Sequence, residues 1–155
     1  LATGVATDIS PAALQVAEKN AHRHGVAERF SAIETRGIEN VAGPLDLIIS
    51  NPPYIPSGDL AGLATDVRLY DPAQALDGGA DGLTIYREIA INISVMDNSV
   101  WVIVEVGARQ ARDVGEIFQQ ACGPESLSIT ELRRDLGGHV RSVTMQHHVV
   151  ESARK

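Results

Sequence analysis

Four consecutive residues, Asn51, Pro52, Pro53 and Tyr54, have the types and order to do chemistry. An amide or aryl-amine nitrogen is a poor nucleophile because its lone pair is delocalised. Two carbonyl oxygens that accept both of its N–H bonds leave electron density on nitrogen and aim the lone pair at an electrophile. Asn51 offers a side-chain carbonyl, and Pro52 offers a backbone carbonyl with no competing N–H. The Tyr54 ring can stack on a planar group. Catalysis would then be positioning for in-line attack, without a strong general base. Asn-Pro and Pro-Pro are also common turn punctuation. From average residue usage, this four-residue word arises by chance in about one chain in a thousand of this size or fewer.

Asp8 ends an apolar segment just ahead of Ser10-Pro11. An acid there in a nucleotide-binding α/β unit accepts hydrogen bonds from a ribose diol. It can equally support the following helix through the helix dipole, and on position alone this is the commoner reading. The histidines are His22, His24, His139, His147 and His148. His22 and His24 are two apart on a helix and do not share a face. His147 and His148 alternate across a strand. The spacing therefore favours surface histidines over a metal site, and no metal is expected. Cys122 lies in an apolar helical pattern and reads as a packed thiol. Gly78-Gly79 and Gly137-Gly138 read as turn formers rather than phosphate cradles.

The elements that must position these residues follow from periodicity. Residues 4–9 read as a strand, and 11–24 as a helix with Ser10 as its N-cap, Pro11 in its first turn and Gly25 as its stop. Its inner face carries Leu14, Ala17 and Ala21. Residues 28–33 and 45–50 read as strands, and Leu47, Ile48 and Ile49 read as a buried run. Residues 56–82 show little periodicity and read as a long lid or substrate loop. A helix over 83–95 places Ile85, Ile89 and Ile93 in register. A β-branched strand follows over 100–106. A helix over 109–122 turns Ala111, Val114, Ile117, Phe118 and Ala121 inward. Strands over 126–133 and 140–149, with Gly137-Gly138 between them, predict an antiparallel hairpin. Strand, helix, strand, loop, strand is the rhythm of a parallel α/β sheet. Ligands in such sheets bind outside the carboxyl ends of the strands, where Asn51 lies.

With 155 residues, 44% hydrophobic and 21% charged, the chain fits one soluble globular domain. A net charge of -7 argues against a large electrostatic footprint on nucleic acid. One cysteine rules out an intrachain disulfide and a cysteine-rich zinc site. No apolar run is long enough to span a bilayer. The first residues lack a basic signal-peptide region, so a cytoplasmic protein without membrane partners is expected.

DLIISNPPYI resembles the motif of amino-group methyltransferases that use S-adenosylmethionine. The wider chain resembles the release-factor glutamine methyltransferases of the HemK/PrmC type. VATDISPAALQVAEKNAHRHGV, DVRLYDPAQALDGGADGLTIYREI, VWVIVEVGARQARDV and DLGGHVRSVTMQ carry that likeness. The resemblance implies an α/β, Rossmann-like class I methyltransferase sheet, mostly parallel with a C-terminal antiparallel hairpin. It implies methylation of the glutamine side-chain amide in the GGQ loop of a peptide-chain release factor. It assigns catalysis to Asn51 and Pro52, substrate binding to Pro53, Tyr54, Arg68 and Asp71, and cofactor binding to Asp8 and Asn51. Pro72 falls in the same substrate-side loop. Asp71 stands where Glu is usual in the family.

Two departures stand out. The family's first strand and its Gly-rich loop, resembling D-x-G-x-G-x-G, are absent ahead of Leu1. Arg36 stands near the usual adenine-contacting acid, with Glu34 as a substitute. Residues 1–155 are therefore expected to be a partial catalytic domain, an incomplete enzyme of low or no activity. Weak cofactor binding and a homo-oligomer formed through exposed sheet edges, or a rearranged sheet, are expected. A DNA or RNA amino methyltransferase acting on adenine or guanine is the second reading, disfavoured by the charge. A non-catalytic remnant acting as an interaction module is the third.

Overall fold

The computed structural model describes residues 1–150; residues 151–155 of the expected domain lie outside that range. The chain divides into two compact units, Leu1–Gly43 and one beginning at Pro44.

The first unit is a β-α-β arrangement. Strand β1 (Gly4–Asp8) leads into helix α1 (Pro11–Arg23), and strand β2 (Phe30–Glu34) pairs with β1 in parallel. Ser10 caps α1 by accepting from the Ala13 amide, and Pro11 opens the helix, as a Ser-Pro start favours. Leu14 and Ala21 are buried, and Ala17 is partly so. Gly25 turns the chain at φ 67. The second strand begins later than its sequence suggests, because Ala27–Arg29 form a 3-10 turn closed by the Arg29 amide on the Val26 carbonyl.

The second unit holds a four-stranded sheet ordered β3, β4, β6, β5. Strands β3 (Leu47–Ser50) and β4 (Val100–Glu105) run parallel. Strands β5 (Leu127–Arg134) and β6 (Val140–His147) form the expected antiparallel hairpin, and β6 lies antiparallel to β4. At the hairpin turn the Asp135 amide donates to the His139 carbonyl. Gly138 there takes φ 83, a conformation that favours glycine.

Helices α4 (Thr84–Ser94) and α5 (Ala111–Cys122) pack on each other, and α5 packs on β5 and β6. The core is made by Ile85, Tyr86, Ile89 and Ile93 of α4, Val114 and Phe118 of α5, and Val100, Val102, Val104, Val143 and Met145 of the sheet. Cys122 is half-buried in this packing, and burial pushes its thiol up to about 11. That makes it inert at neutral pH, as a packed thiol should be.

Three expectations change. The run Leu47-Ile48-Ile49 is not buried throughout: Ile48 is, but Leu47 is 49% and Ile49 70% exposed. Strand side chains alternate faces, and only the Ile48 face joins the core. Secondly, the segment 56–82 is not irregular. It holds a 3-10 turn (Ser57–Gly62) and two short helices, α2 (Thr65–Tyr70) and α3 (Ala73–Leu76). A long excursion must satisfy its backbone polar groups, and local turns begun after Pro56 and Pro72 do so. Thirdly, His147 is not a surface histidine. It is buried at the end of β6, and its Nδ1 has no hydrogen-bond partner.

Candidate active site

The turn at 51–54 leaves β3 at its carboxyl end, and Ser50 pairs with Val104 of β4. Glu105 is therefore the next residue along the neighbouring strand. Pro52 is buried, Pro53 and Tyr54 are half-buried, and Asn51 is exposed. Among the described residues, neither the Asn51 side chain nor the Pro52 carbonyl makes a hydrogen bond. Two carbonyl acceptors thus stand unengaged at the strand end. Acceptors of this kind can take the N–H groups of a planar amide.

Behind the turn, the chain closes on itself. The Ile55 amide donates to the Leu76 carbonyl at 3.0 Å, and the Gly78 amide donates to the Ile55 carbonyl at 2.8 Å. The Ser57 amide reaches the Gly79 carbonyl at 2.9 Å. The Asp77 carboxylate accepts from the Ser57 hydroxyl at 2.6 Å and from the Gly79 amide at 2.9 Å. These bonds hold the Asp77 carboxyl below its usual range, the Ser57 hydroxyl most of all. The loop that carries α2 and α3 is pinned at its base directly beside the turn.

Glycines make this closure possible. A Cβ on Gly78 would lie 2.8 Å from the Pro53 carbonyl oxygen and from the Gly82 backbone. A Cβ on Gly82 would run into the Tyr54 carbonyl, and its φ of 75 is itself unfavourable for other residues. Asp81 then accepts from the Leu83 amide and from Arg87. Its carboxyl falls to about 2, chiefly through the Arg87 hydrogen bond.

The Tyr54 ring is flanked by charge. Its hydroxyl lies 3.4 Å from Glu105 Oε1. Burial raises the Tyr54 pKa, the Glu105 charge adds to the rise, and Arg141 opposes it. Arg141 is itself held by Asp135 at 2.9 Å. The Tyr86 hydroxyl donates to the Glu105 backbone carbonyl at 2.7 Å and ties α4 to the strand end. Its pKa is raised by burial first, then by Tyr54 and Glu105. Gln110 closes the far side, with its side-chain amide on Tyr54, Gly82 and Gly107.

The remaining expected site residues lie elsewhere. Asp8 ends β1 in the first unit, where its Oδ1 accepts the Ser10 amide at 2.8 Å. Its Oδ2 has no partner among the described residues, and it pairs in register with Glu34 of β2. Two exposed acids therefore end adjacent parallel strands. Arg68 is exposed on α2 and reaches only the Ala61 carbonyl, at 3.5 Å. Asp71 is exposed just after α2. No hydrogen bond or ion pair joins either of them to residues 51–54. Sequence reading gave no role to Glu105, Tyr86, Gln110 or Gly82. The available signal was Glu-x-Gly-x-x-Gln directly after the clearest strand. Among the described residues, no group of three or more His, Cys, Asp or Glu could hold a metal ion, and no helix is long and apolar enough to cross a membrane.

Comparison with known proteins gives this geometry a lineage. The chain is 43% identical over 141 residues to a release factor glutamine methyltransferase of Rhodospirillum rubrum, covering 90% of this chain and 42% of that protein. It is 41% identical over 147 residues to a protein of the same name in Agrobacterium fabrum, covering 94% of this chain and 49% of that one. The chain thus spans less than half the length of these relatives. A solved structure, the hMettl16 catalytic domain in complex with MAT2A 3′UTR hairpin 6, superposes with a TM-score of 0.64. At 13% identity, over 96% of this chain and 56% of that one, it bears on the fold alone, which is Rossmann-like as expected. The profile described as Methyltransferase small domain matches residues 2–81, more than half of the chain. A parallel strand that ends in an Asn-Pro-Pro-Tyr turn, set within that match, makes the chain a member of the methyltransferase small domain family.

Proposed function

We propose that this chain carries the acceptor site of an S-adenosylmethionine-dependent enzyme that methylates the glutamine side-chain amide of peptide-chain release factors in the cytoplasm. One observation carries the reading: the Asn51 side-chain carbonyl and the Pro52 backbone carbonyl stand unengaged at the end of β3. The names of the relatives in R. rubrum and A. fabrum support the choice of substrate.

The glutamine amide nitrogen donates one N–H to Asn51 Oδ1 and the other to the Pro52 carbonyl. With both N–H bonds held, the lone pair perpendicular to the amide plane is aimed at the electrophile, while Pro53 and Tyr54 wall the side chain. When bound, the cofactor supplies an electrophilic methyl on a positively charged sulfur. Methyl transfer would form a C–N bond at the expense of a C–S bond, leave a neutral thioether and pass the extra proton on nitrogen to water. Asp8 fits the role of ribose acceptor in kind, because it is exposed at the carboxyl end of a parallel strand and its Oδ2 has no partner among the described residues. Glu34 beside it is a second acceptor for the nucleoside. Arg68 and Asp71 take the substrate-side loop of the same site.

The test is incubation with labelled S-adenosylmethionine and, separately, a release factor, an RNA and a DNA. Label in the release factor, lost when its Gly-Gly-Gln glutamine is replaced, supports the reading. Label confined to nucleic acid overturns it in favour of a base amino methyltransferase.

A further inference from the structure

Helix α5 begins against local preference. Its N-cap position is Gln110, which makes no capping hydrogen bond to the helix. Ser, Thr, Asp or Asn there would satisfy a free helical amide and stabilise the helix. A local rule broken in this way needs a compensating gain, and the direction of the side chain supplies one.

The Gln110 amide turns away from the helix into a three-way junction. Nε2 donates to the Tyr54 carbonyl at 2.9 Å and to the Gly82 carbonyl at 3.3 Å. Oε1 accepts the Gly107 amide at 3.0 Å. Both donor hydrogens and the acceptor are used, and the amide orientation follows from the partners. Flipped, its oxygen would face two carbonyls. The surroundings are shaped to it. A Cβ on Gly107 would lie 2.6 Å from Oε1, and one on Gly82 would lie 2.8 Å from Nε2. No other side chain satisfies all three groups. Glu has the length but no donors, Asn is one methylene short, and Lys has no acceptor.

We propose that Gln110 is a positioning residue that locks the turn at 51–54 in its acceptor geometry. The inference rests on the reading of that turn as the acceptor site. Gln110 touches neither Asn51 nor Pro52. It holds the carbonyl of Tyr54, two residues beyond Pro52, against the Gly82 segment and the end of β4. This fixes the direction in which the Pro52 carbonyl and the Asn51 side chain point. Positioning catalysis is sensitive to small displacements of this kind.

Two variants of this chain separate positioning from plain stability. In Gln110→Ala, the Gly107 amide loses its acceptor, and its hydrogen exchange is expected to quicken about tenfold or more. In Gln110→Glu, the acceptor is kept and Gly107 stays protected, but a carboxylate faces two carbonyls and pushes the Tyr54 strand away. With a Gly-Gly-Gln peptide and S-adenosylmethionine, kcat is expected to fall about 10- to 100-fold in both variants while KM changes little. An unchanged kcat in Gln110→Glu, or unchanged Gly107 exchange in Gln110→Ala, overturns the proposal. If the parent chain transfers no methyl group, the kinetic comparison falls away and the structural readouts stand in its place. The junction is then decided by NMR: altered Tyr54 ring shifts in Gln110→Glu support it, and unaltered shifts refute it.

Discussion

At the scale of single residues, the site depends on carbonyl direction rather than on an unusual pKa. Among the described residues the Asn51 side chain and the Pro52 carbonyl have no partner, so an amide bound as proposed would meet no competitor there. Asn51→Ala removes one acceptor, and methyl transfer is expected to drop about 100-fold or more, by analogy with losing one preorganised hydrogen-bonding group. A drop of less than threefold would show that the side chain is not an acceptor. Tyr54 differs, since its hydroxyl meets Glu105 only at 3.4 Å, at the weak end of hydrogen bonding. Its contribution is the ring. Tyr54→Phe should therefore retain the rate to within about threefold, whereas Tyr54→Ala should lose most of it; equal losses in both variants would transfer the role to the hydroxyl. Asn51 and Pro52 were legible in the sequence as candidates because one four-residue word carries them together. Gln110 was not, because its three partners are scattered over 54, 82 and 107 and meet only in space.

At the scale of elements, the segment 56–82 and the hairpin carry the stability questions. The segment looked irregular because its helices are too short to show a period. Its closure onto Ile55 is a backbone matter that residue types do not announce. Gly82→Ala places a methyl against the Tyr54 carbonyl at a positive φ. A loss of about 2–4 kcal/mol is expected in urea unfolding; a loss below about 0.5 kcal/mol would mean the turn is free to shift. His147 supplies a pH test. Burial lowers its pKa, His148 nearby lowers it further, and the backbone at Asn98 opposes them. The folded state then binds fewer protons than the unfolded state once pH falls below the ordinary histidine value of about 6.5. Stability present above that pH is lost as pH drops. The melting temperature should decline from pH 7 to pH 5, and His147→Leu should flatten the decline. Parallel slopes in the two proteins would exclude His147 as its source.

At the scale of the whole molecule, the described residues form a two-stranded sheet in the first unit and a four-stranded sheet in the second. Strand β1 has one ladder partner, β2, and β3 has one, β4. Each leaves an edge able to pair with another chain. Leu47 and Ile49 of β3, with Trp101 of β4 at 42% exposure, form an apolar strip at one of these edges. Self-association is the expected consequence, with a sedimentation mass that rises with concentration. Ile49→Lys should lower that mass without lowering the melting temperature. A monomer at all concentrations would refute the expectation.

Sequence alone determined the order and kind of the main elements, because period-two and period-3.6 patterns, the Ser10-Pro11 start and the Gly137-Gly138 turn are local signals. It also placed the Asn51-Pro52-Pro53-Tyr54 word at a strand end. The tertiary structure decided which faces are covered. It buried Ile48 but not Leu47 or Ile49, and buried His147 where alternation suggested the surface. It also decided what holds the turn. The Gly82 carbonyl, the Gly107 amide and the Tyr54 carbonyl are backbone groups, identical in every sequence. Only the path of the folded chain brings them within reach of one glutamine.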